Sequence, residues 1–455
     1  VLNRVIEKAI RGSAPAQINV PRDYWTQVID IELPPIVRLE RQGGGSDAIN
    51  KAAKLLSEAK FPVILSGAGV VIGGAIEDCK KLAEKLDSPV CSGYQHNDSF
   101  PGSHPLAVGP LGYNGSKAAM QLISKADVVL ALGTRLNPFS TLPGYGLDYW
   151  PKDAKIIQVD MNSDRIGLTK KVTVGICGDA KLVSQQILEK LSSNAGDKGR
   201  EERKNLIHQT KSAWLQTLTS LDHEDDDPGT VWNKEARERD SDRMSPRQAW
   251  RAIQAGMPED VIISSDIGNN CAIGNAYPTF EKGRKYLAPG LFGPCGYGFP
   301  SILGAKIGCP DTPVIGFAGD GAFGISMNEM SSCARKEWPK ITMVIFRNYQ
   351  WGAEKRNSIL WFDDNFVGTE LDPELSYAKV ANACGLKGVT VKTMEETTKA
   401  IKQSCEDQKK GITTFIEVIL NQELGEPFRR DAMKKPVEVA GINKKDMKPQ
   451  KSAIN

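Results

Sequence analysis

Short apolar runs recur along this chain, each closed by glycine or small polar residues. Pro62 to Ser66, Ala126 to Leu132 and Lys155 to Val159 are three of them; Val261 to Ser265, Pro313 to Ala318 and Ile341 to Phe346 are three more. Continuous apolar runs bounded by turn residues predict strands buried on both faces, as in parallel sheets. Between two of them the apolar period lengthens. Met327, Met330 and Ala334 share one face of a helix predicted over Ser326–Trp338. Strands alternating with helices in this way predict an α/β fold of tandem, doubly wound, parallel-sheet domains.

The same pattern places the boundaries. An α/β domain is expected over 46–191, after a linker marked by Pro34-Pro35 and the Gly43–Ser46 run. A polar, charged linker covers 192–244 and includes Glu224-Asp225-Asp226-Asp227; a further α/β domain covers 245–436. The last stretch, 437–455, is Lys-rich and poor in large apolar residues, which predicts a loose tail. The first 34 residues begin in helical register (Val1–Ile10) and continue into a strand-like Ala16–Val20. A domain rarely opens on its last helix and strand, so this segment is expected to be the carboxyl-terminal remnant of a domain otherwise absent.

Composition narrows the classes. A length of 455 residues suits two or three domains, and 40% hydrophobic with 25% charged residues suits packed cores. A net charge of +3 gives no argument for nucleic acid or anionic membrane. Nine cysteines without a C-x-x-C pair predict reduced thiols rather than a disulfide framework. The four histidines form no metal-ligand pattern, no apolar stretch has membrane length, and no signal peptide is evident. A cytoplasmic location is the default expectation.

Two stretches carry the chemistry. Gly319-Asp320-Gly321-Ala322 closes one predicted strand, and Arg347-Asn348-Tyr349-Gln350 closes the next. A strand–helix–strand unit sets its strands parallel, so Asp320 and Asn348 should leave neighbouring carboxyl ends, where open α/β sheets bind ligands. A carboxylate, an amide oxygen and a backbone carbonyl there suit a hard divalent cation such as Mg²⁺. Asp266-Ile267-Gly268-Asn269-Asn270 follows another strand and could offer N–H groups and amides to phosphate. Ser66-Gly67-Ala68-Gly69-Val70 leaves two readings open: a structural glycine turn, or a dinucleotide site for NAD or FAD reaching to Gly74.

Gly-Asp-Gly, followed one helix and one strand later by Asn, resembles the signature of thiamine diphosphate enzymes. The resemblance implies domains of that type and a Mg²⁺ held by Asp320, Asn348 and the backbone oxygen of Gln350. Gly268, Asn269, Asn270, Gly319, Gly321 and Ala322 would lie near the diphosphate. Gly293-Pro294-Cys295 would run past the cofactor, with Cys295 beneath its bend where a larger apolar residue is usual. The usual Asn-Asn doublet reads Arg347-Asn348 here. The opening segment would be the end of a pyrimidine-binding domain, and the activating glutamate would belong to its absent part. The chain alone is therefore expected to be incompetent. The glycine turn at Gly67 lacks the acidic stretch of flavin-binding members.

Two further segments, Gly93 to Lys117 and Glu426 to Met433, resemble the sulfoacetaldehyde acetyltransferase family. That resemblance implies conversion of sulfoacetaldehyde and phosphate to acetyl phosphate and sulfite in taurine breakdown, by a homodimer or homotetramer. Acetolactate synthase or 2-oxo acid decarboxylase activity is the alternative. Two anions need cationic partners, and Arg429, Arg430, Lys355 and Arg356 are candidates. His96 and His104 could move protons or serve as structural turn residues.

Overall fold

The computed structural model describes residues 1–12, 14–33, 35, 40–220, 230–290, 292–362 and 364–424. All six strands predicted above form, most of them shifted by one or two residues. The first sheet contains β1 (Pro62–Ser66), β2 (Val90–Ser92), β3 (Ala107–Pro110), β4 (Val128–Leu132), β5 (Lys155–Asp160) and β6 (Val174–Cys177), in the order β3-β2-β1-β4-β5-β6. The second contains β7 (Ile262–Ser265), β8 (Tyr286–Leu287), β9 (Val314–Gly319), β10 (Thr342–Arg347), β11 (Lys387–Val391) and β12 (Thr414–Ile419), in the order β11-β12-β10-β9-β7-β8. Every pairing is parallel.

Burial on both faces explains the apolar runs. On β10, Val344 and Phe346 join the core that holds Trp250, while Met343 and Ile345 join the core that holds Phe299 and Phe323. Trp250 packs 4.8 Å from Phe317 and 5.4 Å from Phe346 on one face; Phe299 lies 5.4 Å from Phe323 on the other. Side chains alternate with period two, so a fully buried strand needs apolar residues at every position.

The structure corrects two expectations and adds a helix break. The helix predicted over Ser326–Trp338 starts earlier, at Asp320, and runs Asp320–Ser326 before a tighter turn at Met327–Glu329 and a last turn at Met330–Cys333. Ala322 and Phe323 are buried, and that burial draws the first turn down onto the sheet. The helix after Gly69 is split into Ala68–Gly73 and Ile76–Leu86 by Gly74, which has φ +66°. Ala16–Val20 forms no strand, since no partner strand lies beside it among the described residues, and the preceding helix Leu2–Gly12 buries none of its side chains.

The linker is less solvated than its composition predicts. Its helix Arg200–Ser220 buries Arg203, whose guanidinium donates to the carbonyls of Lys60, Leu86, Asp87, Gly196 and Lys198. All five donors are used, and the three carbonyls of Lys60, Leu86 and Asp87 pin the helix to the first sheet unit. The acidic run 224–227 and the tail lie outside the described residues.

The Gly93–Lys117 segment is the seam between the two sheet units. Asn97 Nδ2 donates to the carbonyls of Asn275 and Pro278, and Asp98 Oδ2 accepts the N–H groups of Lys285 and Tyr286. Gly102 N–H reaches the Phe280 carbonyl at 2.9 Å.

Candidate active site

Parallel pairing sets Phe346 beside Gly319, so Asp320 and Asn348 leave β9 and β10 at the same sheet edge. Asp320 is buried. Its Oδ1 accepts the Gly321 N–H at 3.0 Å; its Oδ2 accepts the Tyr349 N–H at 2.7 Å and Arg347 Nη1 at 3.0 Å. Burial pushes its carboxyl up to about 6 against the pull of Arg347 and the backbone N–H groups. Tyr349 sits at φ +60°, a conformation non-glycine residues rarely adopt, and held strain of this kind concentrates at functional sites.

On the segments that leave β7 and β10 lie buried oxygens without a hydrogen-bond partner: Asn269 Oδ1 and Asn270 Oδ1 after β7, Asn348 Oδ1 and Gln350 Oε1 after β10. An unpaired buried acceptor is costly unless something else satisfies it. Asn269 Nδ2 donates to the Gly352 carbonyl at 3.0 Å, which ties the turn after β7 to the segment after β10. Gly268 has φ +115°, and a Cβ placed there would meet nothing within 4 Å. The same holds at Gly319, whereas at Gly321 a Cβ would come within 2.7 Å of the Trp351 ring. The cluster thus combines open space with oxygen donors. That donor set fits a hard divalent cation, and no trio of His, Cys, Asp or Glu suited to a softer metal occurs among the described residues.

Asp266 organises the neighbouring loop. Its carboxylate accepts the N–H groups of Ile267, Gly296 and Gly298, which holds the glycine-rich stretch against the end of β7. Within that stretch Cys295 is exposed, and Gly293 and Gly296 take positive φ.

The other expected residues are placed differently. Lys355 is ion-paired with Glu370 at 2.7 Å. Arg356 is buried, lies 5.0 Å over the Tyr113 ring, and is lowered by burial to about 10. Arg429 and Arg430 lie outside the described residues. His96 is lowered to about 4 by burial and by Arg135. His104 accepts the Leu106 N–H through Nδ1 and faces Glu84 at 3.3 Å through Nε2, a structural arrangement.

Sequence reasoning missed Asp266 and the pairing of Arg347 with Asp320. Asp266 follows β7 as Asp320 follows β9, so an acid at a strand's carboxyl end was the available signal. Nothing in the pattern announced Tyr377, whose hydroxyl donates to the Asp320 carbonyl at 2.8 Å.

A cavity of about 1040 Å³ is lined by Gly69, His96, Arg135 and Asp160 of the first sheet unit, with Ile6 of the first helix and Gly290 of the second unit. The glycines of the Gly67 turn, however, are closed by backbone. A Cβ on Gly67 would come within 2.6 Å of the Gly133 carbonyl oxygen, and one on Gly69 within 2.7 Å of Gly133 Cα. Close packing explains these glycines.

Comparison with known proteins agrees with this geometry. Residues 49–190 match the thiamine pyrophosphate enzyme central domain, and residues 266–418 match the thiamine pyrophosphate enzyme C-terminal TPP binding domain. The chain is 78% identical, over 99% of its own length and 76% of the relative's, to a probable sulfoacetaldehyde acetyltransferase of Rhizobium meliloti. The chain belongs to the thiamine pyrophosphate enzyme family. A sulfoacetaldehyde acetyltransferase of Roseovarius nubinhibens is 73% identical over 99% of this chain and 75% of its own length. A probable acetolactate synthase large subunit of Methanococcus aeolicus is more distant, 29% identical over 86% of this chain and 65% of its own length. These matches do not bear out the expectation of a lost amino-terminal domain. Members of this family work with thiamine diphosphate and a divalent metal, usually Mg²⁺. All nine cysteines of this member are free, and among the described residues no helix is long and apolar enough to cross a membrane.

Proposed function

We propose that this chain is a thiamine diphosphate- and Mg²⁺-dependent acetyltransferase that converts sulfoacetaldehyde and phosphate to acetyl phosphate and sulfite. The gap between 78% and 29% identity carries this reading over the acetolactate synthase alternative. When bound, the cofactor supplies a carbon nucleophile at its thiazolium ring, the chemistry needed to activate an aldehyde.

The residues of the chain bind and orient. Asp320 and Asn348, with the backbone oxygen of Gln350, would hold the metal; Gly268, Asn269, Asn270, Gly319, Gly321 and Ala322 would line the diphosphate. Gly319 and Gly268 leave space, and the partnerless amide oxygens beside them favour a cation shared with phosphate. Gly293, Pro294 and Cys295 would border the cofactor on the loop held by Asp266. Arg356, buried over the Tyr113 ring, and Lys355, ion-paired with Glu370, are the anion candidates on this segment. Burial keeps fixed dipoles and charges effective by excluding water. Phosphate is proposed as the acceptor, a homo-oligomer as the assembly and the cytoplasm as the location.

The test is sulfite release. Purified protein with thiamine diphosphate and Mg²⁺ should release sulfite from sulfoacetaldehyde, with acetyl phosphate forming only when phosphate is present. Carbon dioxide release from pyruvate, without sulfite release from sulfoacetaldehyde, would replace this reading with the acetolactate one.

A further inference from the structure

The segment Gly93–Lys117 joins the two sheet units and yet leaves two buried donors unused. Gln95 is 3% exposed, and its Nε2 has no hydrogen-bond partner; the Tyr113 hydroxyl is buried and likewise unpartnered. Gln95 also sits at φ +59°, a conformation non-glycine residues rarely adopt. A buried donor without an acceptor is costly, and strain of this kind persists where a site requires it. Both residues lie beside the candidate active site. The helices Asn269–Ile273 and Gly352–Trp361 meet at their first turns: Asn269 Nδ2 donates to the Gly352 carbonyl at 3.0 Å, and a Cβ on Gly352 would lie 3.7 Å from Asn348 Nδ2. Further along, both helices meet the seam. Asn275, just past the shorter helix, accepts the Gln95 N–H through Oδ1 at 3.0 Å and donates through Nδ2 to the Tyr113 carbonyl at 3.1 Å. Arg356, one turn into the longer helix, lies 5.0 Å over the Tyr113 ring. Gln95 and Tyr113 thus close a triangle whose other two sides start at Asn269 and Gly352. Gln95 also borders the cavity of about 1040 Å³, which reaches Gly290 at the head of the glycine-rich stretch.

The chemistry of the triangle selects an anion. A guanidinium, an amide NH₂ and a phenol O–H all donate. Arg356 is 9% exposed, and a positive charge out of water acts strongly on an anion beside it. Asp98, the only carboxylate in Gly93–Lys117, is engaged through Oδ2 with the N–H groups of Lys285 and Tyr286. A sulfonate is fully ionised, with three acceptor oxygens and no proton, so a set of donors satisfies it. Inorganic phosphate near neutral pH keeps a proton that needs an acceptor, and a carboxylate brings one oxygen fewer. We infer that Gln95, Tyr113 and Arg356 form the subsite for the substrate's sulfonate group. They are specificity-determining residues: they hold the end of the molecule that a 2-oxo acid lacks.

This inference rests on the proposed function, and the test separates the two. The probe is 2-hydroxyethanesulfonate, the unreactive alcohol counterpart of sulfoacetaldehyde, titrated calorimetrically into the protein loaded with thiamine diphosphate and Mg²⁺. Y113F and Q95M each remove one donor that has no partner in the protein, while keeping the bulk of the side chain. Both should therefore keep the wild-type melting temperature and cofactor affinity. Each should bind the probe about tenfold more weakly, the worth of one hydrogen bond to a charged group, and raise the KM for sulfoacetaldehyde by the same factor with kcat little changed. R356K keeps the charge but loses the planar fork, and should weaken the probe by a similar factor. Sulfite release with unchanged probe affinity and KM in Y113F and Q95M overturns the inference and leaves the function standing. Displacement of the probe by inorganic phosphate, with the KM for phosphate raised in place of that for sulfoacetaldehyde, assigns the pocket to the acceptor and also overturns the inference. A wild-type protein that neither binds the probe nor releases sulfite overturns both.

Discussion

The two sheet units share a topology and differ in what they do with their glycines. Both contain six parallel strands, and both carry a glycine turn after a strand near the sheet centre. In the first unit that turn is filled from within, because Gly67 and Gly69 touch the backbone at Gly133. In the second, Gly268 and Gly319 face open space beside amide oxygens that have no partner. One motif type therefore serves two ends. A glycine removed from one turn relieves nothing and breaks packing; removed from the other, it fills the room a ligand needs. Fold alone does not tell these apart, and the site does.

The sharpest way to break this comparison is to remove the carboxylate that exists only in the second unit. Asp320→Ala should abolish Mn²⁺ binding and lower sulfite release by a factor of about a thousand, a loss typical of a central electrostatic group. It also strands part of the Arg347 charge, and removing one partner of a buried pair costs about 3–5 kcal/mol. Chemical denaturation should show that loss. A variant that keeps more than a tenth of wild-type sulfite release would remove Asp320 from the metal site.

A paired substitution sharpens the contrast. Gly319→Ala, at φ −69° with nothing within 4 Å, should leave stability unchanged and weaken thiamine diphosphate about tenfold. Gly69→Ala should do the reverse. Its Cβ would press on Gly133 backbone, which cannot rotate away, and overpacking of this kind costs about 1–3 kcal/mol. Melting curves and cofactor titration of the two variants check the pair. Identical behaviour would mean the two turns are alike after all.

Much of this was legible in the residues, for identifiable reasons. Strands buried on both faces announce themselves as unbroken apolar runs, so β1, β4, β5, β7, β9 and β10 could be read to within two residues. Asp320 and Asn348 could be paired because a short strand–helix–strand unit has few geometries. Ala16–Val20 misled because a strand needs a neighbour, which a local pattern does not contain. The helix start at Asp320 was missed because Gly319, Gly321 and Gly324 lower helical propensity, while burial of Ala322 and Phe323 overrides it. Arg203 lies in a linker that reads as polar and charged, and Arg347 reads only as a departure from the usual Asn-Asn doublet; only the structure reveals the carbonyls and carboxylates around them. The whole role of the Gly93–Lys117 segment as a seam depends on partners near residue 280, far away in sequence.

A further expected effect concerns pH and belongs to the first unit. His96 lines the cavity there, half-buried beside Arg135, and both desolvation and that charge hold its imidazole down to about 4. An unfolded chain would protonate the same residue near its ordinary value of about 6.5. Between those two values the unfolded state binds more protons than the folded one, so stability rises with pH across that window and falls as the medium is acidified through it. Above about 6.5 the imidazole is neutral in both states and contributes no pH dependence. The contribution lost by pH 4 is of order 2–3 kcal/mol, which should lower the melting temperature by a few degrees. His96→Gln should flatten that part of the profile, whereas the Asp320 variant should steepen it, because the Asp320 carboxyl, raised to about 6, binds a proton in the folded state over the same window and opposes the loss from His96. In the Asp320 variant, where that opposing carboxyl is gone, a melting temperature that stays level from pH 6.5 to 4 would mean that His96 accepts its proton in the folded state, and that the first unit's cavity admits charge and water more freely than its packing around Gly133 implies.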